Sequence, residues 1–264
     1  MSFKDLGLSD KTIQAINDLG YEKPTTVQKD VIPSILEGKD VFTIAPAACG
    51  KTCSYIFPLI DIISKKEGQN ILIISAGSQE SVNISDKFSI FNKYHESSET
   101  TDENEDTSSE ANVIIASPDL LLENISEGIV DVSNTNILVV DDINLIKKKH
   151  QLKKQNEILE LLPTEKQNII FTNRRSKETQ DTLGKILKAP AEIKVDKDKE
   201  SEVTELNQNE PKLPKKEHAQ KSSKDVFATK QDKKAIELSK KFKIFGKKTP
   251  AFLLEDCKLV AENE

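Results

Sequence analysis

Cysteine is scarce. Cys49, Cys53 and Cys257 are the three cysteines in 264 residues, and they form neither a disulfide framework nor a metal-binding pattern. The opening Met-Ser-Phe-Lys-Asp lacks a basic-then-apolar leader, and no apolar run approaches the ~20 residues that span a membrane. These absences argue against a stapled secreted scaffold and against a membrane partner, and they make a reducing, cytoplasmic setting the expectation. Arginine is scarcer still, with Arg174 and Arg175 the whole supply. The chain also lacks the positive balance that phosphate backbones favour: its net charge is −6, from 44 Asp and Glu against 38 Lys and Arg. At 36% hydrophobic and 31% charged it is fairly polar, and its length suits one α/β domain with an appendage.

What is present is a rhythm of short apolar runs. Val41–Ile44, Ile71–Ile74, Val113–Ala116, Ile137–Val140 and Ile169–Phe171 read as buried strands with helical segments between them. Such alternation predicts a parallel sheet covered by helices on both faces. Ligands of such sheets lie beyond the carboxyl ends of the strands. The segment 45–52, the Asp141-Asp142 pair and Thr172 each follow a strand directly, so they are expected to converge on one edge. At the N-terminus, Phe3, Leu6, Leu8, Ile13, Ile16 and Leu19 read as the apolar face of a first helix.

Ala45-Pro46-Ala47-Ala48-Cys49-Gly50-Lys51-Thr52 reads as a phosphate-binding loop that turns into a helix near Gly50. Backbone N–H groups at such a turn point at bound anions. Lys51 adds a charge for the outer phosphates, and the Thr52 hydroxyl is a Mg²⁺ ligand. The general pattern has glycine where Ala45 stands. The plainer reading is a Gly-Lys-Thr helix start after a strand. Cys49 lies beside Lys51, where a thiol pKa falls, or else it is a neutral stand-in for Ser or Thr.

Upstream stand Phe3, then Gly20-Tyr21-Glu22-Lys23-Pro24-Thr25-Thr26-Val27-Gln28, then Ile32-Pro33 and Gly38-Lys39-Asp40-Val41. In this order and spacing, together with the loop, they resemble the start of a DEAD-box ATP-dependent RNA helicase. The resemblance covers about residues 3–195. It implies an α/β, RecA-like P-loop domain, ATP and Mg²⁺ as cofactors, and RNA as partner. In that family the stretch ending at Gln28 recognises adenine. A glutamine amide pairs with an adenine edge through one donor and one acceptor. Tyr21 offers a flat face for stacking, and Pro24 fixes the turn that presents Thr25 and Gln28.

The same resemblance assigns the acidic pair. Asp141 matches the first Asp of the Asp-Glu-Ala-Asp motif and holds Mg²⁺. Asp142 replaces the Glu that activates water, and its shorter reach is expected to slow hydrolysis, by a factor of order 10². A polar strand end is the bland reading of the pair. Asn144 replaces the last Asp, and Thr172-Asn173-Arg174 stands where the family has Ser-Ala-Thr. The RNA-facing stretches depart further: Ala76-Gly77-Ser78-Gln79-Glu80 lacks the family's arginine, and Ser117-Pro118-Asp119-Leu120 keeps only a hydroxyl and a proline. RNA binding by this face is therefore expected to be weak. In the loop, Ala47 and Ala48 replace a hydroxyl residue and a glycine. If position 48 needs positive φ, its Cβ costs about 1 kcal/mol or more.

Residues 95–110 hold seven acids and no Lys or Arg, and read as a solvated, mobile loop, with RNA mimicry as the alternative. The composition then shifts, so 1–195 is expected to be the domain and 196–264 a lysine-rich, largely disordered tail. Within the tail, 211–248 has thirteen Lys against four acids, a pattern for gripping RNA phosphates or, alternatively, for no specific contact. Residues 231–245 fit a short amphipathic helix. No second RecA-like domain is expected after Val195. Three functional readings follow: an ATP- and Mg²⁺-binding helicase relative with impaired turnover, a non-catalytic RNA- or protein-binding scaffold, and one half of a split helicase whose second domain is a separate chain.

Overall fold

The computed structural model describes residues 1–65, 68–95, 112–187 and 190–195. The expectations for the acidic segment beyond His95 and for the tail 196–264 lie outside these residues. A short 3₁₀ turn at Phe3–Leu6 precedes α1 (Asp10–Asp18) and α2 (Thr26–Leu36). There follow β1 (Val41–Ile44), α3 (Lys51–Lys65), β2 (Asn70–Ile74), α4 (Ser78–Asn92), β3 (Asn112–Ala116) and α5 (Pro118–Ser126). The remainder is β4 (Ile137–Val140), α6 (Ile143–Lys148), α7 (Leu152–Leu161), β5 (Gln167–Thr172), α8 (Lys177–Ile186) and β6 (Ala191–Lys194). The single first helix expected from the apolar spacing is instead two pieces, because Gly7 at φ 86° and the cap at Ser9 break the chain between Leu6 and Asp10.

The six strands form one parallel sheet in the order β3-β2-β4-β5-β1-β6. Side chains alternate across it, as the period of a strand requires. Val41, Ile71, Ile73, Ile137, Val139, Ile169 and Phe171 point into a core shared with α1–α4. Phe42, Leu72, Ile74, Leu138, Val140 and Ile170 point into a second core shared with α5–α8. Burial on both faces explains why these strands read as continuous apolar runs. β6 was not expected as a strand. It is an edge strand of four residues in which Glu192 and Lys194 are exposed and Ile193 is buried, a weak pattern for a buried parallel strand.

One polar hub ties the N-terminal segment to the helix that leaves the phosphate loop. Asp61 of α3 is 0% exposed. It accepts from Ser9 N at 2.5 Å, from Ser9 Oγ at 2.7 Å and from the Thr12 hydroxyl. His95 Nε2 lies 3.9 Å from Asp61 and 2.9 Å from Thr12 Oγ1. A buried carboxylate needs this many donors, and here they fix α1 against α3.

Candidate nucleotide site at the sheet edge

Strands β4, β5 and β1 are neighbours, so the segments leaving them lie side by side. After β1 the chain is still held to the sheet, with Ala45 N donating to Thr172 O at 3.0 Å. It then turns sharply. Ala48 has φ 62° and Gly50 has φ 86° before α3 begins at Lys51. Gly50 suits the left-handed region; Ala48 carries a Cβ there and is strained. The family's glycine position thus does need positive φ in this chain. Cys49 is buried, and its thiol donates to Pro46 O at 3.1 Å. Lys51 Nζ donates to Ala45 O at 3.1 Å and lies 3.8 Å from Asp142 Oδ2, with both side chains largely buried. The ammonium therefore spans the mouth of the loop and is already satisfied by a carbonyl and a carboxylate.

Thr25 and Gln28 are seated against the loop. Thr25 Oγ1 donates to Cys49 O at 3.0 Å. The Gln28 side chain accepts from Thr25 N at 2.9 Å, and Gln28 N donates back to Thr25 Oγ1 at 3.3 Å, which caps α2. A Cβ at Gly50 would stand 2.8 Å from Gln28 Nε2 and 3.1 Å from Thr25 Oγ1, so any other residue would have to displace them as well as adopt φ 86°. Gln28 is 1% exposed. Its oxygen serves the cap while its amide nitrogen faces the loop. Phe3 and Tyr21 both pack against Phe57. Phe3 is buried and meets Phe57 edge-on with centroids 5.9 Å apart. Tyr21 meets Phe57 and Phe91 at 6.4 and 5.9 Å.

On the acidic side, Asp141 N donates to Ile74 O at 3.1 Å, which continues the sheet pairing. Its Oδ1 accepts from the Tyr55 hydroxyl at 3.0 Å. Burial pushes the Asp141 carboxyl above its ordinary value; the Tyr55 bond opposes this, and the Asp142 charge adds to it. Burial, then the Asp141 charge, pushes the Tyr55 hydroxyl well above its ordinary value, so it stays a donor. Thr52 lies one turn before Tyr55 on α3. Thr52 and Tyr55 thus share a helix face, with Asp141 bonded to Tyr55. Mg²⁺ suits this donor set, because a cation relieves a buried carboxylate with a like charge beside it. Tyr55 had no signal in the sequence beyond its spacing from Thr52.

Asp142 is the N-cap of α6. Its Oδ1 accepts from Asn144 N and Leu145 N, both at 3.1 Å, while Oδ2 faces Lys51. Asn144 is buried and bridges to the end of β5. Its Nδ2 lies 2.6 Å from Thr172 Oγ1, 3.2 Å from Asn173 Oδ1 and 2.6 Å from Arg174 O. Thr172 Oγ1 also donates to Arg174 O at 2.8 Å. In the sequence Asn144 and Arg174 read as departures and Thr172 as a retained hydroxyl, and nothing in their spacing marks them as bonding one another. Beside them runs an open cleft of about 970 Å³ lined by Ala45, Pro46, Ala47, Asn144, Lys147 and Arg174 among others. Among the described residues there is no cluster of three or more His, Cys, Asp or Glu that would hold a metal unaided. A cation here would depend on bound phosphate and water for its remaining ligands.

Known proteins resemble the chain in sequence and in fold. The chain is 29% identical over 220 residues to the probable ATP-dependent RNA helicase ddx10 of Dictyostelium discoideum, covering 78% of this chain and 25% of that protein. Against the ATP-dependent RNA helicase has1 of Aspergillus fumigatus it is 29% identical over 220 residues, covering 77% and 35%. Against the ATP-dependent RNA helicase DeaD of Escherichia coli it is 24% identical over 204 residues, covering 74% and 32%. The chain thus spans about a quarter to a third of the length of these relatives. In fold it is similar to a DEAD box protein from the hyperthermophile Methanococcus jannaschii, with a TM-score of 0.65 at 22% identity over 74% of this chain and 56% of that one. Residues 25–182 match the DEAD/DEAH box helicase domain, more than half of the chain and all of the loop, acidic pair and Thr172 segment just described. The chain belongs to the DEAD/DEAH box helicase family.

Proposed function

We propose that the domain formed by residues 1–195 binds ATP with Mg²⁺ and turns it over slowly on its own. The supporting observation is the convergence of Lys51, Thr52, Asp141 and Asp142 at one sheet edge, with Thr25 and Gln28 seated against the same loop. Lys51 and the loop N–H groups hold phosphates. Asp141 and Thr52 would hold the metal, which would neutralise phosphate charge. Gln28 is the adenine-side candidate. Slow turnover follows from Asp142. Both of its oxygens are engaged, one as a helix cap and one toward Lys51, and its side chain is one methylene shorter than the glutamate the family uses. A general base must reach the proton that it takes, and misplacement costs about 10² in rate.

RNA is the proposed partner, with weak affinity on the core. Glu80 pairs with Lys149 at 2.9 Å, and Asp119 pairs with Lys154 at 2.5 Å and accepts from Gln151. Lysines beside the expected RNA edge are thereby neutralised by acids of the same surface. The basic stretch 211–248 then supplies salt-sensitive affinity.

Calorimetry with ATP, comparing the wild type with Lys51→Ala, tests the nucleotide reading. Binding lost in the variant supports it, whereas no heat from the wild type, or equal heat from both, sinks it. Hydrolysis measured with and without RNA tests the turnover claim, and brisk hydrolysis by the chain alone contradicts it. A second reading, a non-catalytic scaffold, is favoured by one observation: Ala48 sits at φ 62° within the loop, where a working loop of this family has glycine.

A further inference from the structure

The chain has two arginines, and they are adjacent. They do different things. Arg175 is paired with Glu192 of β6. Arg174 has an exposed side chain and no acid partner among the described residues. Its backbone, by contrast, is pinned: its carbonyl accepts from Asn144 Nδ2 at 2.6 Å and from Thr172 Oγ1 at 2.8 Å. Arg174 lines the 970 Å³ cleft together with Ala45, Pro46 and Ala47 of the phosphate loop. Lys147 and Lys148 line the same cleft, and no carboxylate among the described residues does.

An unneutralised guanidinium with a fixed backbone, beside the outer part of a phosphate loop, is a preorganised anion receptor. Its planar fork offers five N–H donors and suits the oxygens of a phosphate, paired two at a time. The flanking lysines are point charges that raise the local potential without matching that geometry. Lys147 is moreover partly committed, donating to Ser176 Oγ at 3.3 Å. Asn144 and Thr172 fix the peptide from which Arg174 extends, which reduces the ordering needed on binding.

We propose that Arg174 reads the terminal phosphate of the bound nucleotide and makes the site prefer a nucleoside triphosphate to a diphosphate. The inference rests on the nucleotide-binding reading above and adds its specificity. Asn144 and Thr172 act as positioning residues for it.

The test is calorimetry on the full chain with Mg²⁺, titrating ADP and the β,γ-imido analogue of ATP into wild type, Arg174→Ala, Arg174→Lys and Arg175→Ala. A charge-assisted contact to the terminal phosphate is expected to cost about tenfold in triphosphate affinity when removed. Diphosphate affinity stays within about twofold, since only the third phosphate is read. Arg174→Lys recovers part of the loss, and Arg175→Ala keeps the wild-type ratio. An unchanged triphosphate-to-diphosphate ratio in Arg174→Ala overturns the proposal. So does a variant that keeps this ratio but loses affinity for single-stranded RNA, which would make the cleft an RNA site. A wild type that binds neither nucleotide refutes the nucleotide reading itself. A wild type that binds both, with a ratio indifferent to Arg174, refutes this inference alone.

Discussion

Ala48 is held at φ 62° in an exposed turn of the phosphate loop. For a residue with a Cβ, the left-handed region costs roughly 1–2 kcal/mol. Replacing Ala48 with glycine removes that cost. Because the residue is exposed, little packing is lost with the methyl. Glycine in turn gains freedom in the unfolded chain, which takes back roughly 0.4–1 kcal/mol. The expected net effect is a stabilisation of about 0.5–1 kcal/mol, or roughly 1–4 °C in Tm for a domain of this size. Ala48→Val moves the other way, since a β-branched side chain at positive φ is more strained still. Thermal unfolding without nucleotide checks both, because bound ligand would add its own stabilisation. A lower Tm for Ala48→Gly, or an unchanged Tm for Ala48→Val, would refute the strain argument and with it the geometry of the loop.

Restoring the family's residue with Asn144→Asp places a carboxylate against Arg174 O and Asn173 Oδ1, and is expected to destabilise by about 1–3 kcal/mol in urea unfolding at pH 7.5; equal or greater stability would show that the bridge is unimportant. Gln155 of α7 is 0% exposed and neither polar atom of its side chain has a partner among the described residues, so Gln155→Met is expected to stabilise by about 1–2 kcal/mol, and a lower unfolding midpoint would contradict this. Burial holds the His95 ring below its ordinary value of 6.5, against the pull of Asp61 and with Lys11 and Lys65 adding to the depression. The unfolded chain therefore binds that proton first, so His95 favours folding fully above pH ~6.5 and progressively less as the pH falls through its folded value. Urea midpoints at pH 7.5, 6.5 and 5.5 should fall more steeply for the wild type than for His95→Asn, and parallel lines would count against the effect. Deleting 196–264 is expected to abolish salt-sensitive RNA binding while leaving the Lys51-dependent nucleotide signal, and an undiminished RNA affinity would sink the proposed role of the tail.

The sheet was legible because its strands are buried on both faces, so five of them appear as short, mainly apolar runs. β6 was missed for the opposite reason: as an edge strand it buries Ile193 alone among four residues and carries Glu192 and Lys194 outward. The interior prolines of α2 and α3, Pro33 and Pro58, break the local preference for helix. Packing of Ile32, Ile35, Phe57 and Leu59 outweighs it. In the site, chemistry fixed by the chain's own backbone was readable: the loop, its lysine and the carboxylates after β4 all follow from strand-then-turn order. Contacts between distant segments were not. Nothing in the spacing of Tyr55 and Asp141, or of Thr25 and Cys49, marks them as partners, because each pair meets only after the sheet has assembled.

The substitutions at 144 and 174 carry a further step of reasoning. Taken one at a time, Asn144 for Asp and Arg174 for Thr look like losses from a motif that couples nucleotide to RNA. In the folded chain they are compatible with each other and with Thr172. An amide at 144 donates to the carbonyl of residue 174 at 2.6 Å, where a carboxylate would repel it. That bond fixes the backbone of Arg174, which lines one cleft with residues of the loop. Drift without constraint has no reason to keep a donor facing an acceptor in a buried site, since an unsatisfied polar group there costs about 1–3 kcal/mol. Ala48, by contrast, holds a backbone in the region that favours glycine. The contrast separates the two halves of the site. The phosphate loop carries the strain at Ala48, while the segment after β5 is held by satisfied hydrogen bonds among Asn144, Thr172 and Arg174.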